Sequence, residues 1–249
     1  MKAIGILLSG GTGKRFGSPI PKQFLKLGGK MVLEYSFETF YRSSEISEII
    51  VVTPKEFALK TEKILKKLRN ELHNERKKKK EPSPQKNFTI VLGGETRHQS
   101  FLNAAKSIPD LDPKDILVVH DVARPFVSQY DISDLLLATH KTGLASLYSK
   151  VKDTILEKSN FSWKFVEREN LYSLKTPQSI RAKEFWICEK NANSPKKDFP
   201  DLCSFGLENK LSPEMVLSNP FNEKLTFAED RKFLESLLTR IERSKKKKK

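Results

Sequence analysis

The chain alternates short, wholly apolar runs with longer stretches of helical spacing. Ile4 to Leu8 is a continuous apolar run, as a strand buried on both faces requires. Val32, Leu33, Ser36, Phe37 and Phe40 recur at helical spacing across 32–40. Ile49-Ile50-Val51-Val52-Thr53 is β-branched and stopped by Pro54, which predicts a second strand. Residues 56–72 predict a long amphipathic helix, and the charged, Pro-containing stretch 75–87 an exposed loop. Phe88 to Leu92 predicts a third strand, 100–108 a helix, Ile116 to His120 a fourth strand, and 131–142 another helix. Beyond residue 143 the pattern weakens. Residues 145–175 read as an extended, partly antiparallel arm, and 224–238 as a strand end followed by a helix.

This βαβαβαβ order predicts an α/β fold: a mostly parallel sheet with helices on both faces, in one domain spanning 1–249. Ligands of such sheets bind at the carboxyl ends of the strands. Three turns rich in glycine or charge fall there, at 9–17, 93–100 and 120–126.

Composition narrows the setting. No stretch approaches the ~18–20 apolar residues of a membrane span. The apolar start leads into glycines and basic residues, not a cleavage site, so it reads as a strand and not as a signal peptide. Two cysteines, Cys188 and Cys203, without metal-ligand spacing fit a reducing compartment, and the cytoplasm is expected. Of the formal charge of +15, nine positive charges sit in two runs, Lys77–Lys80 and Lys245–Lys249. Such runs are commonly solvated, and 240–249 is expected to be a disordered basic tail. The remaining excess suits polyanionic phosphate substrates. No nucleic-acid module signature is present, and no nucleic-acid partner is expected.

The first turn reads Leu8-Ser9-Gly10-Gly11-Thr12-Gly13-Lys14-Arg15, then Pro21-Lys22-Gln23. Glycines let the backbone amides approach a triphosphate, and Lys14, Arg15 and Lys22 supply the opposing charge. It is neither a Walker A loop, since Arg15 replaces the Ser/Thr, nor a dinucleotide fingerprint, since Phe16 replaces the last glycine. In Gly93-Gly94-Glu95-Thr96-Arg97-His98-Gln99-Ser100, Ser100 caps a helix or bonds a nucleobase, and Arg97 holds a phosphate or braces the loop. In His120-Asp121-Val122-Ala123-Arg124-Pro125-Phe126, Asp121 is placed to bind Mg²⁺ or to pair with Arg124 and fix the turn, and His120 suits a structural hydrogen bond.

In this order, with Asp153-Thr154, Thr176-Pro177-Gln178 and Asn222-Glu223-Lys224-Leu225-Thr226, these motifs resemble the 2-C-methyl-D-erythritol 4-phosphate cytidylyltransferase family along nearly the whole chain. The resemblance implies a Rossmann-like nucleotidyltransferase fold, a homodimer with 145–175 as its dimerisation arm, and Mg²⁺-dependent transfer of CMP from CTP to 2-C-methyl-D-erythritol 4-phosphate with release of pyrophosphate, a step of isoprenoid precursor synthesis, with ribitol 5-phosphate or another polyol phosphate as the alternative acceptor. It implies Arg15, Lys22 and Lys224 as catalytic residues, and Ser9, Gly10, Gly11, Gly13, Gly94, Glu95 and Ser100 around CTP. Asp121 would hold the metal, and Arg124, Thr154, Arg168 and Thr176 would lie near the acceptor or its support. Three places depart from the family's usual pattern. Ser9-Gly10 stands where two alanines are usual, Lys150-Val151-Lys152-Asp153-Thr154 has lysine for the usual proline, and Phe199-Pro200-Asp201 stands where Thr-Asp is usual. The Gly-Gly loop also resembles the sister enzymes that make CDP-ribitol. A nucleotide-binding protein without acceptor chemistry is the remaining reading.

Overall fold

The computed structural model describes residues 1–10, 20–80, 86–191 and 198–246. Gly11, Gly13, Lys14 and Arg15 lie outside the described residues. In chain order the elements are β1 (Ala3–Leu8), β2 (Lys26–Leu27), β3 (Lys30–Met31), α1 (Val32–Arg42), β4 (Ile46–Thr53), α2 (Ala58–Lys78), β5 (Phe88–Leu92), α3 (Arg97–Lys106) and β6 (Ile116–Asp121). There follow α4 (Gln129–Thr142), β7 (Leu144–Lys150), β8 (Ile155–Lys158), β9 (Trp163–Val166), β10 (Tyr172–Arg181), α5 (Ala182–Asn191), α6 (Leu202–Glu208), β11 (Glu214–Leu217) and α7 (Asp230–Lys246).

Seven strands form one sheet in the order β11-β7-β10-β6-β1-β4-β5. All neighbours pair in parallel except β10, which runs antiparallel to both β6 and β7. The expected mostly parallel sheet with helices on both faces is what forms. Alternation along β1 shows why. Ile4, Ile6 and Leu8 pack with Phe101 of α3 and with Phe185 and Phe205 of α5 and α6. Ala3 and Leu7 pack on the opposite face with Phe37 and Phe40 of α1, Leu65 of α2 and Leu135 of α4. Position 5 falls on this second face and holds glycine, since a β-carbon there would stand 2.5 Å from the Phe40 ring. A third cluster joins Leu27 and Val32 to Leu225, Leu234 and Leu237, so α7 closes over the β2–β3 hairpin.

Several boundaries differ from the sequence expectation. The exposed loop predicted at 75–87 is helical through Lys78, where Glu75 bridges Arg42 of α1 and Lys79. Helix α3 starts at Arg97 because the Thr96 side chain accepts from the Gln99 amide, so Thr96 and not Ser100 is the cap. Leu144–Lys150 and Tyr172–Lys175 belong to the main sheet, which leaves an arm of 151–171 built on the β8–β9 hairpin. No strand forms at Lys224; the last strand is β11, ten residues earlier at its start. The tail expected to be disordered from 240 continues α7 through Lys246, its apolar stripe of Leu234, Leu237, Leu238 and Ile241 packed inward.

Candidate active site

The carboxyl ends of β1, β4 and β6 open into a cavity of about 280 Å³. Ser9 and Gly10 come from the end of β1, and Lys22 and Gln23 from the 3-10 turn that follows Pro21. Gly94, Glu95, Thr96, Arg97 and Ser100 come from the turn into α3, Asp121 from the end of β6, and Lys224 from the segment before α7. Eight of the candidate residues are thus gathered from five separate stretches: Ser9, Gly10, Lys22, Gly94, Glu95, Ser100, Asp121 and Lys224.

Asp121 organises the charge. Its Oδ1 accepts from Arg97 Nε at 3.0 Å and its Oδ2 from Lys224 Nζ at 2.7 Å. Burial raises its carboxyl, but Arg97 and Lys224 outweigh burial and hold it far below the usual carboxylate range. The ion pair of this turn is therefore with Arg97 and Lys224. Arg124, the partner weighed from sequence, instead sends Nη1 to the Asn222 carbonyl at 3.2 Å. Three cations, Lys22, Arg97 and Lys224, stand against two carboxylates, Asp121 and Glu95, so the cavity carries a positive excess that attracts polyanions.

The turn at 93–100 is shaped by side chains. Ser100 Oγ accepts from the Gly94 amide at 3.1 Å, and Gln99 Oε1 from the Glu95 amide at 3.2 Å. A β-carbon on Gly94 would stand 2.4 Å from Gln99 Cγ and 2.7 Å from Gln99 Cβ, so only glycine keeps this turn. Three buried atoms of cavity-lining side chains lack a hydrogen-bond partner among the described residues: Ser9 Oγ, Gln23 Nε2 and Arg97 Nη2.

The residues assigned to the acceptor are placed differently from expectation. Thr176 is buried behind the cavity, where Oγ1 accepts from the Asp121 amide at 3.1 Å. Arg124 lies behind it as well, bracing the Lys224 segment. Thr154 is exposed in the turn before β8. Arg168 sits at the root of the arm, bonded to the Lys152 carbonyl, beside a second cleft of about 390 Å³ with Tyr148, Lys150 and Tyr172. None of the four lines the cavity of its own chain. Pro200 is exposed, and Asp201 caps α6 and bonds Gln178, so that departure from the family pattern also lies outside the cavity.

Gln23, Thr96 and Arg97 also line the cavity, with Leu8, Val52, Val122 and Ala123, beyond the site residues that the motifs nominated. Arg97 carried a signal, a basic residue just past a strand end. Gln23 carried one only as part of Pro-Lys-Gln.

The family model for 2-C-methyl-D-erythritol 4-phosphate cytidylyltransferase (IspD) matches residues 3–240. The chain belongs to this family. It is 36% identical over 227 residues to the 2-C-methyl-D-erythritol 4-phosphate cytidylyltransferase of Leptospira interrogans, covering 90% of this chain and 87% of the relative. The enzyme of that name from Leptospira borgpetersenii is 34% identical over 227 residues, covering 90% and 88%. Among solved structures, 4-diphosphocytidyl-2C-methyl-D-erythritol synthase from Anaerococcus prevotii superposes with a TM-score of 0.75 at 26% identity, covering 96% of each chain. The chain is thus an α/β nucleotidyltransferase of the IspD type. Among its described residues, no helix is long and apolar enough to cross a membrane.

Proposed function

We propose that this IspD-family chain transfers CMP from CTP to 2-C-methyl-D-erythritol 4-phosphate and releases pyrophosphate, a step of isoprenoid precursor synthesis. The observation that carries the reading is the cavity itself: Lys22, Lys224 and Asp121 converge beside the Gly94-Glu95-Ser100 turn, as a triphosphate next to a base pocket requires. The acceptor's phosphate oxygen is already ionised near neutral pH, so it attacks the α-phosphorus without a general base. The new bond forms as the bond from the α-phosphorus to the bridging oxygen breaks, and pyrophosphate leaves with that electron pair. Lys22 and Lys224 stabilise the charge that builds on the transferring and leaving groups. The glycine turns hold the nucleotide so that the attack is in line. Arg15, outside the described residues, is assigned the same electrostatic role from its motif, and Gly11 and Gly13 contact with the triphosphate.

Magnesium fits as a substrate-borne ion. Among the described residues no group of three or more His, Cys, Asp or Glu side chains gathers to hold a metal. Asp121 is the side chain that would hold the ion beside the bound triphosphate. When bound, the ion neutralises phosphate charge. Both Asp121 oxygens pair with cations in the free chain, and a triphosphate gives Arg97 and Lys224 alternative partners.

A homodimer accounts for the placement of Thr154 and Arg168. The arm exposes Leu156, Phe161, Trp163 and Phe165 at 55–100%, apolar area that a second copy would cover. Residues on the arm then serve the acceptor in the neighbouring chain's cavity. Burial of both free thiols, Cys188 and Cys203, supports a reducing, cytoplasmic setting.

The test is pyrophosphate release with Mg²⁺, each nucleoside triphosphate and a panel of polyol phosphates. Release with CTP and 2-C-methyl-D-erythritol 4-phosphate alone is expected. Preference for ribitol 5-phosphate would replace the acceptor, and no release with any pair would sink the reading.

A further inference from the structure

We infer that His120, as its Nε2–H tautomer, is the positioning residue that joins the Asp121 turn to the segment carrying Lys224. The inference rests on the cytidylyltransferase reading of that cavity. His120 is fully buried at the end of β6, its ring stacked on Phe40 with centroids 5.6 Å apart. It does not line the cavity. Its Nε2 lies 3.0 Å from the Arg124 carbonyl, an acceptor only, so Nε2 carries the proton. Its Nδ1 lies 3.1 Å from Thr176 Oγ1. That oxygen already accepts from the Asp121 amide, which leaves its own O–H to donate to Nδ1. The neutral ring therefore satisfies a directed chain: Asp121 N–H to Thr176 Oγ1, Thr176 O–H to Nδ1, Nε2–H to the Arg124 carbonyl.

The chain continues into the Lys224 segment. Arg124 Nη1 donates to the Asn222 carbonyl, and Asn222 Nδ2 donates back to the Thr176 carbonyl at 2.9 Å. Leu225 N pairs with the Ala123 carbonyl. His120 thus fixes the backbone of Arg124, Arg124 fixes Asn222, and Lys224 follows two residues on. A ladder break makes room for this. Pro177 has no N–H to give, and the pairing of β10 with β7 lapses between Lys175 and Gln178, where Thr176 turns to the Asp121 turn.

Three variants separate the halves of the ring. His120→Gln keeps a donor near the Nε2 position, His120→Asn keeps an acceptor near Nδ1, and His120→Phe keeps neither but retains the stack on Phe40. Each is made alone and with Lys224→Met, and kcat and KM for CTP are measured. His120→Phe and His120→Asn should lower kcat about 30-fold with KM within about threefold, and His120→Gln should restore kcat to within about fivefold of wild type. In the Lys224→Met background the same changes should cost less than about twofold, since the lysine they position is gone. Losses that multiply in full in that background would overturn the inference. Ring ¹⁵N shifts of the wild-type protein must show a protonated Nε2 and a bare Nδ1; the opposite tautomer would overturn it too. Amide resonances of 222–226 should move in His120→Asn and hold in His120→Gln. That readout decides the matter even if the wild type transfers no cytidylyl group, an outcome that would sink the reaction and not the linkage. If His120→Phe does not fold, the Asn and Gln pair carries the test.

Discussion

Replacing Lys224 with methionine separates a catalytic cation from a structural one. Methionine keeps the aliphatic stem and removes the charge. Lys224 Nζ stands 2.7 Å from Asp121 Oδ2. At an effective dielectric of about 20 the gross attraction is roughly 6 kcal/mol. Two corrections shrink it. The lysine side chain is 36% exposed, so water and salt screen the pair, and ordering its stem costs entropy. Asp121 also keeps Arg97 on its other oxygen, so no carboxylate is orphaned. The net loss of stability is therefore about 1 kcal/mol, a fall of roughly 2–4 °C in Tm for a chain of this size. Removal of an electrostatic group that acts in the transition state costs ~2.7–4 kcal/mol, or about 10²–10³ in kcat. Urea and thermal melts measure the first figure and pyrophosphate release the second. A rate within about threefold of wild type, or a Tm drop beyond about 8 °C with activity scaling to the folded fraction, would refute the assignment.

Gly94→Ala forces Gln99 aside and breaks its bond to the Glu95 amide; a rise of about tenfold in KM for CTP is expected, with a loss of about 1–3 kcal/mol in urea melts, and an unchanged KM would remove this turn from the nucleotide site. Lys86 is buried against the Phe40 and Ser43 carbonyls, and burial, with Arg76 adding to it, pushes its ammonium down to about 8. The unfolded chain holds that proton up to about pH 10.4, so the fold is penalised below pH 8 and gains about 3 kcal/mol as pH rises from 8 to 10.4. Lys86→Met lacks this gain, and parallel stability curves for wild type and variant across that window would contradict it. Trp163→Ser with Phe165→Ser removes apolar area from the arm; sedimentation should show the proposed dimer dissociating, and an unchanged oligomer would move the interface elsewhere.

The central strands were legible because each is short, apolar and flanked by a breaker: Ile4–Leu8 before Ser9-Gly10, 49–53 before Pro54, 88–92 before Gly93 and 116–120 before Asp121. Elements held by tertiary contacts were not. Strand β11 is four half-buried or exposed residues at a sheet edge, with no alternation strong enough to read. Helix α6 has seven residues and depends on the Asp201 cap. The end of α2 is polar and persists through Glu75 and its bridge to Arg42. In the site, loops announced Lys22, Gly94, Glu95, Ser100, Asp121 and Lys224 through motif and position. The pairing of Asp121 with Arg97 was hidden, since 24 residues and a helix separate them. So was the retreat of Thr176 and Arg124 behind the cavity, which depends on hydrogen bonds that no spacing encodes.

The reach of the contacts across the chain sets when this site first exists. Lys22 Nζ donates to the Leu225 carbonyl, a bond between residues 203 positions apart, and Lys224 meets Asp121 across 103. A ribosome that has finished β6 needs roughly another 5–20 s to supply Lys224 at ordinary synthesis rates of about 5–20 residues per second. Through that interval the nascent chain has its glycine turns and Asp121 but lacks the last cation and the α7 lid over the β2–β3 hairpin. A chain truncated before residue 224 would thus keep the seven strands of the main sheet and lack the cation that pairs with Asp121.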